Sequence, residues 1–262
     1  MNFDTLGQIL ECGQCFRWNY LKDGSWQGTA GGRSLRITAE NLPRVLHDPF
    51  WAHYFDTETD YAAIRSGLAR KSPELAEAVR YAPEIRILNQ EPWEAFCSFI
   101  LSQCNNIRRI QGMVERLSKA YGTPAEGGGF TFPAAETLAE VPEQELRALG
   151  LGFRAPYVLD AARRVSAGEL DFSALKAMPL GEAHQKLEQT CGVGPKVADC
   201  TLLYGMHRLE AFPADVWIKR AMKVLFPGKT PAWFGPYAGV AQQYIFHFSR
   251  NHPECFQPKG NQ

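Results

Sequence analysis

The run Cys191-Gly192-Val193-Gly194-Pro195 constrains this chain more than any other stretch. Before it, LGEAHQKLEQT has a helical pattern with Leu187 on its buried side. After it, Pro195 opens a second helix, KVADCTLLY, which Gly205 ends. Two helices joined by so short a link must fold back as a hairpin, spanning about 181–205. Glycine at 192 and 194 lets the backbone come close to a ligand. The free N–H groups opening the second helix point to the same place, and such a terminus takes phosphate without a positive side chain. Formal net charge zero, from 28 basic and 28 acidic residues, therefore does not exclude a nucleic-acid partner.

Charge is also uneven. Arg108, Arg109, Arg116 and Lys119 face only Glu115 in 105–120, and Lys219, Arg220 and Lys223 stand without an acid in 216–224. With 262 residues, 45% hydrophobic and 21% charged, the chain has the composition of a globular protein with one or two domains. Its apolar stretches are too short to span a bilayer, and MNFDTLGQILECGQ lacks the features of a secretory signal, so an intracellular setting and no membrane are expected. Seven cysteines, an odd number in a chain of this size, are expected to be reduced and partly buried. No obligate oligomer is suggested, and a monomer is expected.

The pattern predicts an α+β fold: a small N-terminal antiparallel β-sheet region, then a mainly α-helical body. FRWNY, SWQGTA and RSLRITA read as strands joined by Asp23-Gly24 and Gly31-Gly32 turns. From about Tyr61 onward the chain reads as helix, with starts at Pro73, Pro92, Pro133, Pro142 and Pro195. Ile107, Ile110, Met113, Val114 and Leu117 share one face of a helix capped by Asn106, and AEGGGF at 125–130 reads as a flexible loop. The expected division is a sheet domain with flanking helices over 1–85 and a helical body over 86–262.

Two residues in the hairpin region suggest chemistry. Lys196 sits in the first helical turn, where the helix dipole disfavours a cation by ~0.3–1 kcal/mol and favours the nucleophilic amine. Asp215, in FPADVWIKRAMKVLF, precedes an amphipathic helix and reads as an ionised N-cap.

GVGPKVADC with its downstream Pro-x-Asp resembles the helix–hairpin–helix DNA glycosylases, and most closely the 8-oxoguanine DNA glycosylases. The retained lysine implies the bifunctional glycosylase/lyase branch, with Lys196 as nucleophile, Asp215 as its carboxylate partner and no cofactor. Four further segments carry the resemblance. GQCFRW (13–18) implies that the Gly13 carbonyl accepts a hydrogen bond from N7–H of the oxidised base. FILSQCNNIRRIQGMVERL (99–117) implies that Arg109 reads the widowed cytosine. GFRAPYV (152–158) implies Phe153 as wedge and Arg154 as a second cytosine reader. GPYAGVAQQYIF (235–246) implies that Gln242 meets the base edge and Phe246 stacks on one face, with Cys200 on the other. Gly192 and Gly194 would contact the DNA backbone, and the implied partner is duplex DNA containing oxidised guanine.

Three positions depart from the family. Cys104 stands where asparagine often fills the void left by the flipped base, which leaves that role to Cys104 or Asn105. Trp217 replaces a phosphate-contacting histidine, and the wedge is phenylalanine where tyrosine is usual. Sister glycosylases with an iron–sulfur loop need four cysteines after the hairpin, and only Cys200 and Cys255 lie there. A non-catalytic DNA-binding module would explain the hairpin glycines but not Lys196, Asp215 or Gly13.

Overall fold

Strands form near the start of the chain, where apolar residues alternate with polar ones. In the computed structural model, which describes residues 1–256, β1 (Trp18–Tyr20), β2 (Trp26–Ala30) and β3 (Arg33–Ile37) make the expected antiparallel meander. Trp18 pairs with Gly28, and its ring lies across the glycine so closely that a Cβ there would sit 2.2 Å from it. Three short helices pack around this sheet: α1 (Gly7–Leu10), α2 (Leu42–His47) and α3 (Pro49–Tyr54). Trp18, Trp26, Trp51 and Phe55 centre a small core there. Helices thus begin well before Tyr61. Each is too short for apolar periodicity to reveal it.

The helical body follows: α4 (Tyr61–Ala69), α5 (Pro73–Tyr81), α6 (Pro92–Leu101), α7 (Ile107–Tyr121), α8 (Ala135–Ala139), α9 (Glu143–Ala148), α10 (Ala155–Ser166), α11 (Phe172–Ala177), α12 (Leu180–Glu188), α13 (Pro195–Cys200), α14 (Val216–Val224) and α15 (Ala238–Asn251). Helix α6 is buried from Ala95 to Leu101 and lies within the larger core. Helices α4 and α5 pack into the same core through Tyr61, Ile64, Leu68 and Leu75. Phe16 joins this larger core and Leu88 the smaller one, so the two cores interleave along the chain.

Caps and prolines set most boundaries. Asn106 accepts from the Arg109 N–H at 3.0 Å and starts α7, whose Ile110, Met113, Val114 and Leu117 are buried as the pattern predicts. Pro73, Pro92 and Pro195 open helices, whereas Pro133 and Pro142 do not. Pro142 is the N-cap before α9. Pro133 lies two residues ahead of α8, and its carbonyl accepts from the Trp93 indole at 2.9 Å. The 125–130 segment is not a free loop either. The Ser34 N–H donates to the Glu126 carbonyl at 2.6 Å, and the Glu126 N–H to the Gly32 carbonyl at 3.0 Å. The segment thereby covers part of the β3 edge, whose backbone groups would otherwise lack partners.

The hairpin joins α12 to α13. Gly192 has φ +73°, and a Cβ there would lie 2.4 Å from the Tyr157 ring of α10. The turn is held to α10 a second time, by the Cys191 N–H donating to Asp160 Oδ2 at 2.8 Å. At Gly194 a Cβ would meet nothing within 4 Å. One glycine is fixed by packing and the other stays open.

Glu94, in the first turn of α6, carries a strained charge. Burial pushes its carboxyl up to about 7, while Arg17 pulls it down and Glu91 pushes it further up. Protonation is therefore favoured in the folded state. The associated stability is full below the ordinary value of 4.5 and declines as pH rises through about 7.

Two predictions follow from these contacts. Gly192→Ala is expected to lower stability in urea unfolding by roughly 1–3 kcal/mol, whereas Gly194→Ala is expected to unfold like wild type. Equal losses would contradict the contact with Tyr157. Glu94→Gln is expected to gain up to roughly 3 kcal/mol over wild type between pH 4 and pH 8. Parallel pH profiles for the two proteins would refute the buried charge.

Candidate active site

Lys196 is the second residue of α13, and its predecessor Pro195 fixes the entry to the helix. Its Nζ donates to Ser102 Oγ at 2.8 Å and stands 5.2 Å from the centre of the Phe99 ring. Asp215 caps α14, accepting from the Ile218 N–H at 2.9 Å. Both side chains line one cavity of 590 Å³, together with Gly13, Ser102, Asn105, Arg108, Trp217, Phe246 and Arg250. That volume suits a small ligand or one extruded nucleotide unit. Burial raises the Asp215 carboxyl above its ordinary value, although the α14 N–H groups, Lys196 and Arg250 each draw it back. A capping role by itself would only lower it. Among the described residues, Lys196 forms no ion pair with Asp215.

A smaller pocket continues inward. Gly13, Lys196, Cys200, Tyr204, Asp215, Gln242 and Phe246 line it. Every residue expected to touch the base is therefore brought together here with the lysine and the aspartate. Its volume of 50 Å³ admits little more than a water molecule, whose share of liquid is about 30 Å³. Phe246 sets this limit. Its ring lies so near Gly13 that a Cβ there would be 3.2 Å away, and Gly13 also needs glycine for its φ of +87°. No described residue donates to the Gly13 carbonyl. Gln242 is buried, and its Oε1 lies 3.3 Å from the Tyr204 hydroxyl. Burial pushes the Cys200 thiol up to about 12, so it is neutral and packs as an apolar group.

The other expected residues lie outside both cavities, apart from Asn105. Phe153 is 48% exposed, as a wedge requires, and the Arg154 guanidinium stacks 4.3 Å from its ring centre. Arg109 is exposed in the first turn of α7. Arg154 is only 6% exposed. It donates to the Gln103 and Cys104 carbonyls and so supports the loop before α7 instead of standing free at the surface. That loop puts Cys104 at φ +48° with its thiol exposed. Asn105 turns inward, donating to the Leu101 carbonyl at 3.0 Å.

Four contributors escaped the sequence reading. Gln14 is fully buried, donating to the Ile9 and Arg86 carbonyls at 3.0 and 2.9 Å and accepting from the Leu88 N–H at 2.9 Å. Gln243 donates to the Cys12 carbonyl at 2.8 Å and accepts from Tyr204. Ser102 meets Lys196, and Arg250 lines the outer cavity. A glutamine inside the apolar run VAQQYIF was the one available signal. Nothing in the local pattern marked Ser102 or Arg250.

Comparison with known proteins identifies the family. Residues 4–96 match the model of the 8-oxoguanine DNA glycosylase N-terminal domain. Residues 97–232 match that of the HhH-GPD superfamily of base excision DNA repair proteins. A solved 8-oxoguanine glycosylase/lyase of Clostridium acetobutylicum, in complex with duplex DNA containing cytosine opposite 8-oxoguanine, superposes with a TM-score of 0.84. It is 33% identical, over 95% of this chain and 92% of that one. A probable N-glycosylase/DNA lyase of Methanothermobacter thermautotrophicus is 32% identical over 62% of this chain and 62% of its own length. N-glycosylase/DNA lyase OGG1 of Arabidopsis thaliana is 29% identical over 92% of this chain and 76% of its own. The match thus spans less than two thirds of the first of these curated relatives and about three quarters of the second. It belongs to the HhH-GPD superfamily of base excision DNA repair proteins and, within it, to the 8-oxoguanine glycosylase/lyase family.

Proposed function

We propose that this chain is a bifunctional DNA glycosylase and abasic-site lyase that removes 8-oxoguanine lying opposite cytosine in duplex DNA. The observation that carries the reading is that Lys196 and Asp215 share a cavity with Gly13 and Phe246, contributed by four distant parts of the chain. The DNA held by the Clostridium relative supports the same substrate.

A base in a duplex is out of reach, so the nucleotide is flipped out at roughly a few kcal/mol. Phe153 wedges the stack, Asn105 or Cys104 helps to fill the void, and Arg109 meets the cytosine. Arg154 joins it only after releasing the carbonyls that it holds here. The hairpin at Gly192 and Gly194 holds the DNA backbone. Phe246 swings away from Gly13 to admit the base and then stacks on it, with Cys200 behind and Gln242 at its edge. The Gly13 carbonyl accepts N7–H, a proton that guanine lacks, and one such contact supplies about 1–3 kcal/mol of discrimination. As the base leaves, Asp215 stabilises positive charge developing on the sugar. The Lys196 nitrogen bonds to C1′ through its lone pair, and ring opening gives a Schiff base. Loss of a C2′ proton then breaks the C3′–O bond, and hydrolysis of the imine frees the lysine. The scheme needs no cofactor. The protein acts as an intracellular monomer, and no described helix is long and apolar enough to cross a membrane.

Lys196→Gln is expected to bind lesion DNA yet neither nick it nor be trapped on it by borohydride. A trapped complex from this variant would refute the assignment. Asp215→Asn keeps an oxygen to cap α14, so its unfolding midpoint is expected to stay near wild type while base excision falls at least ~10²-fold. Because burial raises the Asp215 carboxyl, wild-type excision is expected to fall on acidification at a higher pH than an ordinary carboxylate gives. Undiminished excision by Asp215→Asn would remove Asp215 from the mechanism.

A further inference from the structure

Ser102 stands at the end of α6, half-buried, where the chain leaves the core for the outer cavity. Its hydroxyl has one proton and two lone pairs. That proton is directed to the Phe99 carbonyl, 2.7 Å from Oγ. The 2.8 Å contact with Lys196 Nζ therefore runs in one direction, from the lysine N–H to the serine oxygen. The Phe99 ring, 5.2 Å from Nζ, presents negative π density on the same side. Ser102 and Phe99 thus form an acceptor-only wall against the amine.

We propose that Ser102 is a positioning residue for the nucleophile: it takes one N–H of Lys196 and cannot cap the nitrogen lone pair. The inference rests on the reading of Lys196 as nucleophile. A serine free to rotate would donate to the neutral amine and block the electrons that must reach C1′. With its proton held by the Phe99 carbonyl, Ser102 fixes the amine by its hydrogens alone and leaves the lone pair toward the cavity. The other charged or titratable groups around this amine are Asp215 ahead of α14, Cys200 on α13, Tyr204 just after α13, Arg108 on α7 and Arg250 on α15.

Full-length wild type, Ser102→Ala and Ser102→Thr are compared on duplex DNA that already holds an abasic site, so that base removal is bypassed. The readouts are DNA affinity and the single-turnover rate of borohydride trapping across pH. Ser102→Ala is expected to bind like wild type, with its maximal trapping rate reduced roughly tenfold by loss of orientation. The loss is expected at every pH at which wild type traps, since it lies in orientation. Ser102→Thr, which retains the hydroxyl, is expected to restore the rate. A wild-type rate and profile in Ser102→Ala would overturn the proposal. So would equal impairment in the alanine and threonine variants, which would mark Ser102 as packing only. Failure of wild type itself to trap would overturn the nucleophile reading and this proposal with it, an outcome distinct from the other two.

Discussion

Buried amides hold the site together. Gln14, fully enclosed, ties the N-terminal segment to the stretch at 86–88, and Gln243 ties Cys12 to α15. The turn at Gly13 lies between these two clamps. Moving it would strand several buried donors and acceptors, each at roughly 1–3 kcal/mol. Its carbonyl is therefore held in one place without help from ligand. Gln242 and Phe246 lie one helical turn apart on α15, so the same clamp sets the aromatic ring against that carbonyl. The Tyr204 hydroxyl, donating to Gln243 and touching Gln242, carries the constraint into the segment that follows α13.

A pocket of 50 Å³ must open if it is to serve a purine in the proposed reaction. Lys196 and Asp215 are held by helix starts and hydrogen bonds. Phe246 is only partly buried and its side chain has no hydrogen bond to lose, which makes it the side chain proposed to yield. The hairpin divides its work in the same manner. Gly192 is pressed on Tyr157 and fixes the turn, while Gly194 is left open where a backbone would approach.

The residues that line the cavity were far more legible than the scaffold behind them. Lys196, Asp215 and the hairpin stood out because a proline, two glycines and a cap mark helix starts locally. The meander and the buried face of α7 were equally readable, since both rest on short-range periodicity. The three short helices before Tyr61, the docking of 125–130 on β3 and the inward turn of Arg154 were not. Each is decided by a partner far away in the chain: Trp18 for α3, Glu126 for the sheet edge, and the Gln103 carbonyl for the guanidinium. Ser102 was silent for the same reason, since its meaning depends on a lysine 94 positions later.

In the proposed reaction one particular amine, that of Lys196, does the covalent chemistry. The most direct measurement is mass spectrometry of the borohydride-reduced adduct formed on a duplex with 8-oxoguanine opposite cytosine, after digestion of the protein. The account predicts the sugar remnant on the peptide that contains Lys196, and on none from an undamaged duplex. A remnant on another lysine, or on the amino group of Met1, would contradict it.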